Sequence, residues 1–346
     1  MNILPLSNSE TSAFCSQIAM ILKSGISSTE GIAIMLEDTD KNDEKQLLTT
    51  IYDTLTQTGS LHEALQETHA FPAYMLSMVD IGERTGRLDE VMGSLADYYE
   101  KEAGLAQTIK NAITYPCIMI FMMLAVILIL ITKVMPVFEQ VFLQLGTRMS
   151  GPSRVILNIG TFLNTHSIVL IIIIVVLIAT AIVLIKTKIG QNFISKLAAR
   201  FGGSKNLSEK ISAYRFAGGM ALTLSSGLTP EECLNLASSL IDDGAYKDKI
   251  KTCQQAVEKG EDLYQSLLTC GVFSGVYTRM AAIAARTGMM EEMMLKITAH
   301  FEEEIDQKIS RILAIIEPTL VIILSVIVGI ILLSVMLPLM SIMSTL

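Results

Sequence analysis

One property of this sequence constrains its fold more than any other: it matches itself. Displaced by 202 residues, it aligns with itself without a gap. Phe14 falls on Phe216, Leu22 on Leu224, Ser24-Gly25 on Ser226-Gly227 and Glu30 on Glu232. Leu61 and Leu65 fall on Leu263 and Leu267, and Phe71 on Phe273. Further along, Arg84-Thr85-Gly86 meets Arg286-Thr287-Gly288, Glu90 meets Glu292, Glu100 and Glu102 meet Glu302 and Glu304, and Pro116 and Pro136 meet Pro318 and Pro338. A single register kept this long marks a duplicated structural unit, so both halves must fold alike.

The spacing of apolar residues within a unit predicts about six helices. Phe14, Ile18, Ile21 and Leu22 recur at helical intervals, Gly25 suits a helix stop, and Ser27 or Ser28 an N-cap. A second helix runs through Ile32 and Leu36 into the polar stretch Glu37 to Glu44. A third covers about 44–57, and a short fourth follows Gly59-Ser60 with Leu61 and Leu65 turned inward. Pro72 opens a fifth, which Gly82 and Gly86 end. The sixth starts near Leu88-Asp89 and meets no strong break before Pro116, so it is expected to continue into the apolar residues beyond. Alternating runs that would signal strands are missing.

Hydrophobic residues make up 51% of the chain and charged residues 17%, so soluble modules joined to membrane spans are expected. Tyr115 to Thr132, Ile168 to Ile185 and the first part of Thr319 to Leu346 carry no charge. At about 1.5 Å per residue, 18 residues cover about 27 Å, close to the hydrocarbon thickness of a bilayer. Lys101 and Lys110 precede the first span, and Lys308 and Arg311 precede the third. Lys186, Lys188, Lys196, Arg200 and Lys205 follow the second. The positive-inside rule then places the N-terminus in the cytoplasm and the C-terminus outside it. Met1 to Glu10 has no basic or apolar signal region, so no cleavable signal is expected there. The expected fold is an all-α membrane protein with two homologous cytoplasmic six-helix bundles and three transmembrane helices. The first bundle takes residues 1–112 and the first span 113–135, followed by an extracytoplasmic loop at 136–167. The second span is 168–185, the second bundle 186–314, and the third span with the C-terminus 315–346. The second span, which has no counterpart in the repeat, returns the chain so that both bundles lie on one side.

No catalytic, cofactor-binding or metal-binding set emerges. Gly-Lys never occurs, which excludes a Walker A loop. His62-Glu63 begins like a zinc-binding HExxH, but position 66 is Gln, and His69, His166 and His300 stand apart. Asn206-Leu207-Ser208 matches a glycosylation acceptor on the side expected to be cytoplasmic. The spans contain no ionisable residue except at their edges, which argues against ion-coupled transport and intramembrane proteolysis. Ser325 and Gly329 have the spacing of a small-residue helix contact, which ordinary membrane composition explains equally well. Five cysteines (Cys15, Cys117, Cys233, Cys253 and Cys270) make an odd number without a CxxC pair, and read as isolated buried thiols. Residues 1–112 hold seven Lys and Arg against seventeen Asp and Glu, whereas residues 186–314 hold sixteen against fifteen. The acidic first bundle disfavours nucleic-acid binding. Its carboxylates serve either docking of a basic partner or solubility.

Two corresponding turns stand out, Ile81 to Leu88 and Ile283 to Met290. Gly86 and Gly288 suit left-handed helix ends, with Thr85 and Asp89 as capping oxygens, and the turns read as helix corners or as partner contacts. The duplication, the Gly82, Glu83, Gly86, Leu88 pattern, Tyr115-Pro116 before the first span and Glu317-Pro318 before the third resemble the F family of type II secretion proteins, the GspF/PilC family. The motif residues carried by the resemblance are Gly25, Gly82, Glu83, Gly86, Leu88, Tyr115, Pro116, Gly227, Arg286, Gly288, Glu292, Glu317 and Pro318. The second copy departs from the pattern: Ala284 and Ala285 replace Gly-Glu, and Met290 replaces Leu. The resemblance implies a non-enzymatic, oligomeric inner-membrane platform for a type IV pilus or a type II secretion pseudopilus. Its partners would be a cytoplasmic assembly ATPase, pilin or pseudopilin subunits and other inner-membrane assembly proteins, with no cofactor and no direct nucleic-acid contact. The alternative is a membrane receptor or signalling scaffold with duplicated helical domains.

Overall fold

The computed structural model of the chain describes residues 5–40, 42–144, 204–241, 244–273 and 275–343. Among them every regular element is a helix and no strand occurs. The first repeat contributes α1 (Asn8–Lys23), α2 (Ser28–Glu37), α3 (Asn42–Thr58), α4 (Leu61–Thr68), α5 (Ala73–Thr85) and α6 (Leu88–Ile129), and α7 (Met135–Gln144) follows. The second repeats the order with α8 (Ser204–Ser225), α9 (Pro230–Ser239), α10 (Gly244–Glu258), α11 (Leu263–Thr269), α12 (Val276–Thr287) and α13 (Met290–Met343). The all-helical, duplicated six-helix plan expected from the sequence is therefore present. The chain forms two compact units, Met1–Gln107 with Lys205–Asp306, and Thr108–Ser204 with Gln307–Leu346.

In the first unit, helix starts are set by side chains that accept hydrogen bonds from otherwise unpaired amides. Ser7 and Glu10 form a reciprocal capping box on α1, and Thr229 and Glu232 form one on α9. Ser27 caps α2, Ser60 caps α4, and Asp262 caps α11. Each such cap contributes about 1 kcal/mol. The apolar faces then close into cores that repeat in detail. Phe14 lies 4.9 Å from Phe71, and their counterparts Phe216 and Phe273 lie 6.0 Å apart. Ile18, Leu65 and Met92 are buried around the first pair, and Met220, Leu267 and Met294 in the second repeat. Burying each such side chain stabilises by about 1.5–3 kcal/mol. Cys15, Cys233 and Cys253 are buried in these cores, whereas Cys117 and Cys270 are only half-buried; the last two depart from the expectation of buried thiols.

In the second unit, α6 passes through Pro116 without ending, and α13 runs through Pro318 and Pro338. Each proline lacks the N–H that would bond the carbonyl four residues before it, so Ala112 and Ala314 lose their helical donors. Residues 130–134 widen into a π-helical turn, immediately before Pro136. There the amide of Met135 bonds to Leu130 instead of the carbonyl one residue later, a register that accommodates the missing donor. The helical course then extends to Gln144, into residues 136–144 that the sequence reading assigned to a loop. Among the described residues, Leu88–Val141 and Met290–Leu333 are long and apolar enough to cross a membrane. Only 6% of the apolar stretch of each is buried inside the protein, unlike the core helix of a soluble domain. The second span expected at 168–185 and the loop beyond Gln144 lie outside the described residues.

Candidate functional site

The α5–α6 corner combines a local helix cap with contacts made between helices. Gly86 closes α5 at φ +70°. Its amide donates to the Glu83 carbonyl at 3.3 Å and that of Arg87 to the Gly82 carbonyl at 3.0 Å, the paired bonds of a Schellman motif. Gly82 does not end the helix as expected: it lies inside α5, buried. A Cβ there would approach the Leu88 Cα to 3.1 Å and the Val91 Cβ to 3.2 Å. The glycine lets α5 and α6 cross in close contact. Of the two expected capping oxygens, the Thr85 hydroxyl instead donates to the Ile81 carbonyl at 2.8 Å, and Asp89 sits in the first turn of α6, where a negative charge is favoured.

Glu83 reaches back 22 residues to the start of α4. Its carboxylate accepts from the Ser60 hydroxyl at 2.7 Å, from the Leu61 amide and from the His62 amide at 3.2 Å. Ser60 in turn accepts from the Glu63 amide at 3.3 Å. The glutamate thus acts as a second N-cap supplied by another helix, placing an anion on the positive end of α4. In the second repeat the glutamate is replaced by Ala285, which has no acceptor, and the residue matching Ser60 is Asp262. That aspartate accepts directly from the Tyr264 amide at 3.2 Å and the Gln265 amide at 3.1 Å. A serine with a remote glutamate has been exchanged for an aspartate with an alanine, keeping one carboxylate on the helix end. The other departures pair similarly: Ala284 stands at the glycine position while Met290, unbranched at Cγ, replaces Leu88.

The two repeats meet along a seam. The Tyr74 hydroxyl on α5 donates to the Gly219 carbonyl on α8 at 3.2 Å, fully buried. Arg215 Nε on α8 lies 3.1 Å from the carboxylate of Glu102 on α6, whose side chain is only 7% exposed. Leu222, Leu236 and Leu240 from the second repeat pack on the first repeat's core. On its other side, α8 pairs through Lys210 with Glu304, which also accepts from the Tyr277 hydroxyl at 2.8 Å. Glu102 and Glu304 are equivalent positions, so both carboxylates converge on the basic residues of one helix.

In the second unit, the Tyr115 hydroxyl donates to Glu317 at 3.0 Å. These residues also occupy equivalent positions, each preceding the proline of its long helix. Gly25, Gly227 and Gly288 share the left-handed conformation of Gly86. Arg286 is exposed in the last turn of α12, and Glu292 pairs with Lys296 at 2.8 Å. The motif residues therefore fall into three places: the α5–α6 corner and its copy, the α1–α2 corner and its copy, and the helix pair at Tyr115 and Glu317. Sequence reading missed Ser60, Glu102, Tyr74 and Arg215; the Ser60-to-Asp262 change opposite Glu83-to-Ala285 was the available signal for the first. Among the described residues no three His, Cys, Asp or Glu side chains gather as a metal site.

These features define a duplicated, all-helical membrane protein organised by helix-cap corners and a seam between its repeats. The profile described as Type II secretion system (T2SS), protein F, matches residues 14–136 and again 216–338, at the offset of the internal repeat, and the chain belongs to that family. It is 28% identical over 334 residues to the type IV pilus assembly protein PilC of Thermus thermophilus, covering 96% of this chain and 82% of the relative. It is 26% identical to the PilC of Pseudomonas aeruginosa, over 91% of this chain and 85% of the relative. The type II secretion system protein F of Xanthomonas campestris is 24% identical, over 97% of this chain and 83% of its own length.

Proposed function

We propose that this protein is a non-enzymatic inner-membrane platform on which a type IV pilus or a type II secretion pseudopilus is assembled, coupling a cytoplasmic ATPase to the insertion of pilin subunits. The observation that carries the reading is the duplicated pair of unbroken helices. In both repeats the last helix of a polar, capped bundle is also the helix that enters the apolar segment. A shift or rotation of a bundle would thus pass along one continuous helix into the bilayer. The hydrogen bond between Tyr115 and Glu317 ties the two elements together beside Pro116 and Pro318, where each helix lacks a backbone bond and bends most easily.

In this reading three spans place both bundles in the cytoplasm, the N-terminus inside and the C-terminus outside. Assembly ATPase, pilin or pseudopilin, further inner-membrane assembly proteins and other copies of the chain are its partners. Photo-crosslinkers on the first bundle of the full-length protein in its native membrane should capture the assembly ATPase. A deletion strain should lose surface pili or secretion and regain it with the wild-type gene. Capture of a signalling enzyme, with pili and secretion intact in the deletion, would refute the reading. Pro116→Ala that folds, inserts and supports normal assembly would refute the hinge.

A further inference from the structure

The seam between the repeats is one-way. The first repeat contributes the outer face of α5 together with Glu102 of α6, and the second contributes α8 and α9. A two-fold seam would also lay α12, the counterpart of α5, on α1 and α2, the counterparts of α8 and α9. Within the chain it does not. Tyr74 is 4% exposed in the seam, while its counterpart Val276 is 57% exposed. Leu222 is 6% exposed, while its counterpart Met20 is 61% exposed. Leu236 packs against the first repeat's core, while its counterpart Ile34 is 47% exposed.

Each repeat therefore keeps an unused copy of one half of the contact. On the first repeat it is a groove of about 410 Å³, lined by Gln17, Met20 and Ile34 and rimmed by Asp38, Asp40 and Glu44. Gln17, Met20 and Ile34 match Gly219, Leu222 and Leu236, which sit in the seam. On the second repeat, Val276 and Ile283 are exposed along α12, with Arg279 and Arg286 at helical spacing beside them. An apolar groove with an acidic rim faces an apolar helix with a basic edge. The chain also holds one precedent for the electrostatics: Glu232 on α9 is held below the ordinary carboxylate range by hydrogen bonds from Thr229, with Arg84 of α5 adding to the effect. The counterparts are Glu30 and Arg286, both exposed.

We propose that α12 of one molecule packs into the α1–α2 groove of a second copy of this chain, repeating between molecules the contact that joins the repeats within one. Such a head-to-tail contact leaves a free groove at one end and a free helix at the other, so it propagates from copy to copy, closing into a ring where the rotation allows. It rests on the duplication and would stand whatever machine the protein serves.

The test uses the full-length chain in membranes, with the half-buried Cys117 and Cys270 replaced by Ser. One tagged chain carries Gln17→Cys and a differently tagged chain carries Val276→Cys, counterparts of the Gly219 and Tyr74 pair. A short bis-maleimide should join the two different tags. Pairs of Gln17→Cys chains and pairs of Val276→Cys chains should stay unjoined. Adding Glu30→Arg to the first chain or Arg286→Glu to the second should lower the yield at least about fivefold, and the two together should restore it. Restoration cannot come from misfolding. Crosslinks between identical variants would overturn the proposal, as would capture of a different protein on either face. So would both cysteines reacting freely with a monofunctional maleimide while no crosslink forms.

Discussion

Replacing Glu83 by alanine removes the acceptor of three hydrogen bonds, from the Ser60 hydroxyl and the Leu61 and His62 amides. Ser60 still caps the Glu63 amide, so the loss is one shell of a double cap. A lost side-chain cap is worth about 0.5–2 kcal/mol and a hydrogen bond to a charged group about 1.5–3. The corner is partly open to solvent, so about 2 kcal/mol is expected for the set. At about 1.4 kcal/mol per factor of ten, the first-turn amides of α4 should exchange hydrogen about 30-fold faster. Hydrogen exchange with mass spectrometry on peptides spanning Leu61 to Thr68 in the full chain reads this directly. The second repeat supplies the rescue. Ser60→Asp in the Glu83→Ala background should bring exchange back to within about threefold of wild type, because Asp262 performs that role on α11. Ser60→Asp beside an intact Glu83 should not stabilise, since two carboxylates would crowd one helix end. Unchanged exchange in Glu83→Ala, or a failed rescue by Ser60→Asp, would refute the exchange of one cap for the other.

Gly82→Ala brings a methyl against Leu88 and Val91 and should destabilise the α5–α6 corner by about 1–3 kcal/mol. Adding Leu88→Met should recover part of it, and proteolysis rates of the corner would report both. Arg215→Ala leaves the carboxylate of Glu102 buried without this partner and should loosen the seam by about 3 kcal/mol, read as faster exchange across Ala96 to Leu105. Joint replacement with Glu102→Leu and Arg215→Met should recover most of it, because a well-packed apolar pair substitutes for a buried ion pair. Glu232 titrates below its ordinary value near 4.5 because Thr229 donates to it. Its capping box is therefore complete above that pH and is lost as pH falls through the lower folded value. The protection factor at the start of α9, taken against the intrinsic exchange rate at each pH, should fall below about pH 4.5 in wild type and lose this pH step in Glu232→Gln.

Local chemistry made the helices legible. Ser27 or Ser28 ahead of Glu30 and Ser60 ahead of Glu63 marked starts, and Gly25 and Gly86 marked ends. The self-match tied both repeats to one plan before any contact was known. The misreadings arose where a residue's reason lies in another helix. Gly82 looked like a helix stop because Gly86 follows it in the same turn, yet it answers to Leu88 and Val91 across a helix crossing. Glu83 looked like part of a turn, yet its partners lie at the start of α4. Glu102 and Arg215 gave no sequence signal, since the register pairs Glu102 with Glu304 and says nothing of which repeat faces which helix.

The differences between the repeats sort by physical cause. At positions 60 and 83, and at 82 and 88, one change in the second repeat is answered by another within the same corner, so the local fold is conserved while its parts are exchanged. At the seam no such internal answer exists. Tyr74 reaches the Gly219 carbonyl, but Val276 cannot make that bond, and Gln17 stands where Gly219, without a side chain, leaves room for Leu240 and Ala237. Leu240 packs inward across the seam, whereas its counterpart Asp38 lies exposed on the groove rim. A duplicated domain that bound its twin symmetrically would keep these positions alike, because each would see the same neighbour. Their divergence follows from a directional contact, in which the two copies of a face serve different surroundings: one sealed within the chain, the other left with charge on its edge.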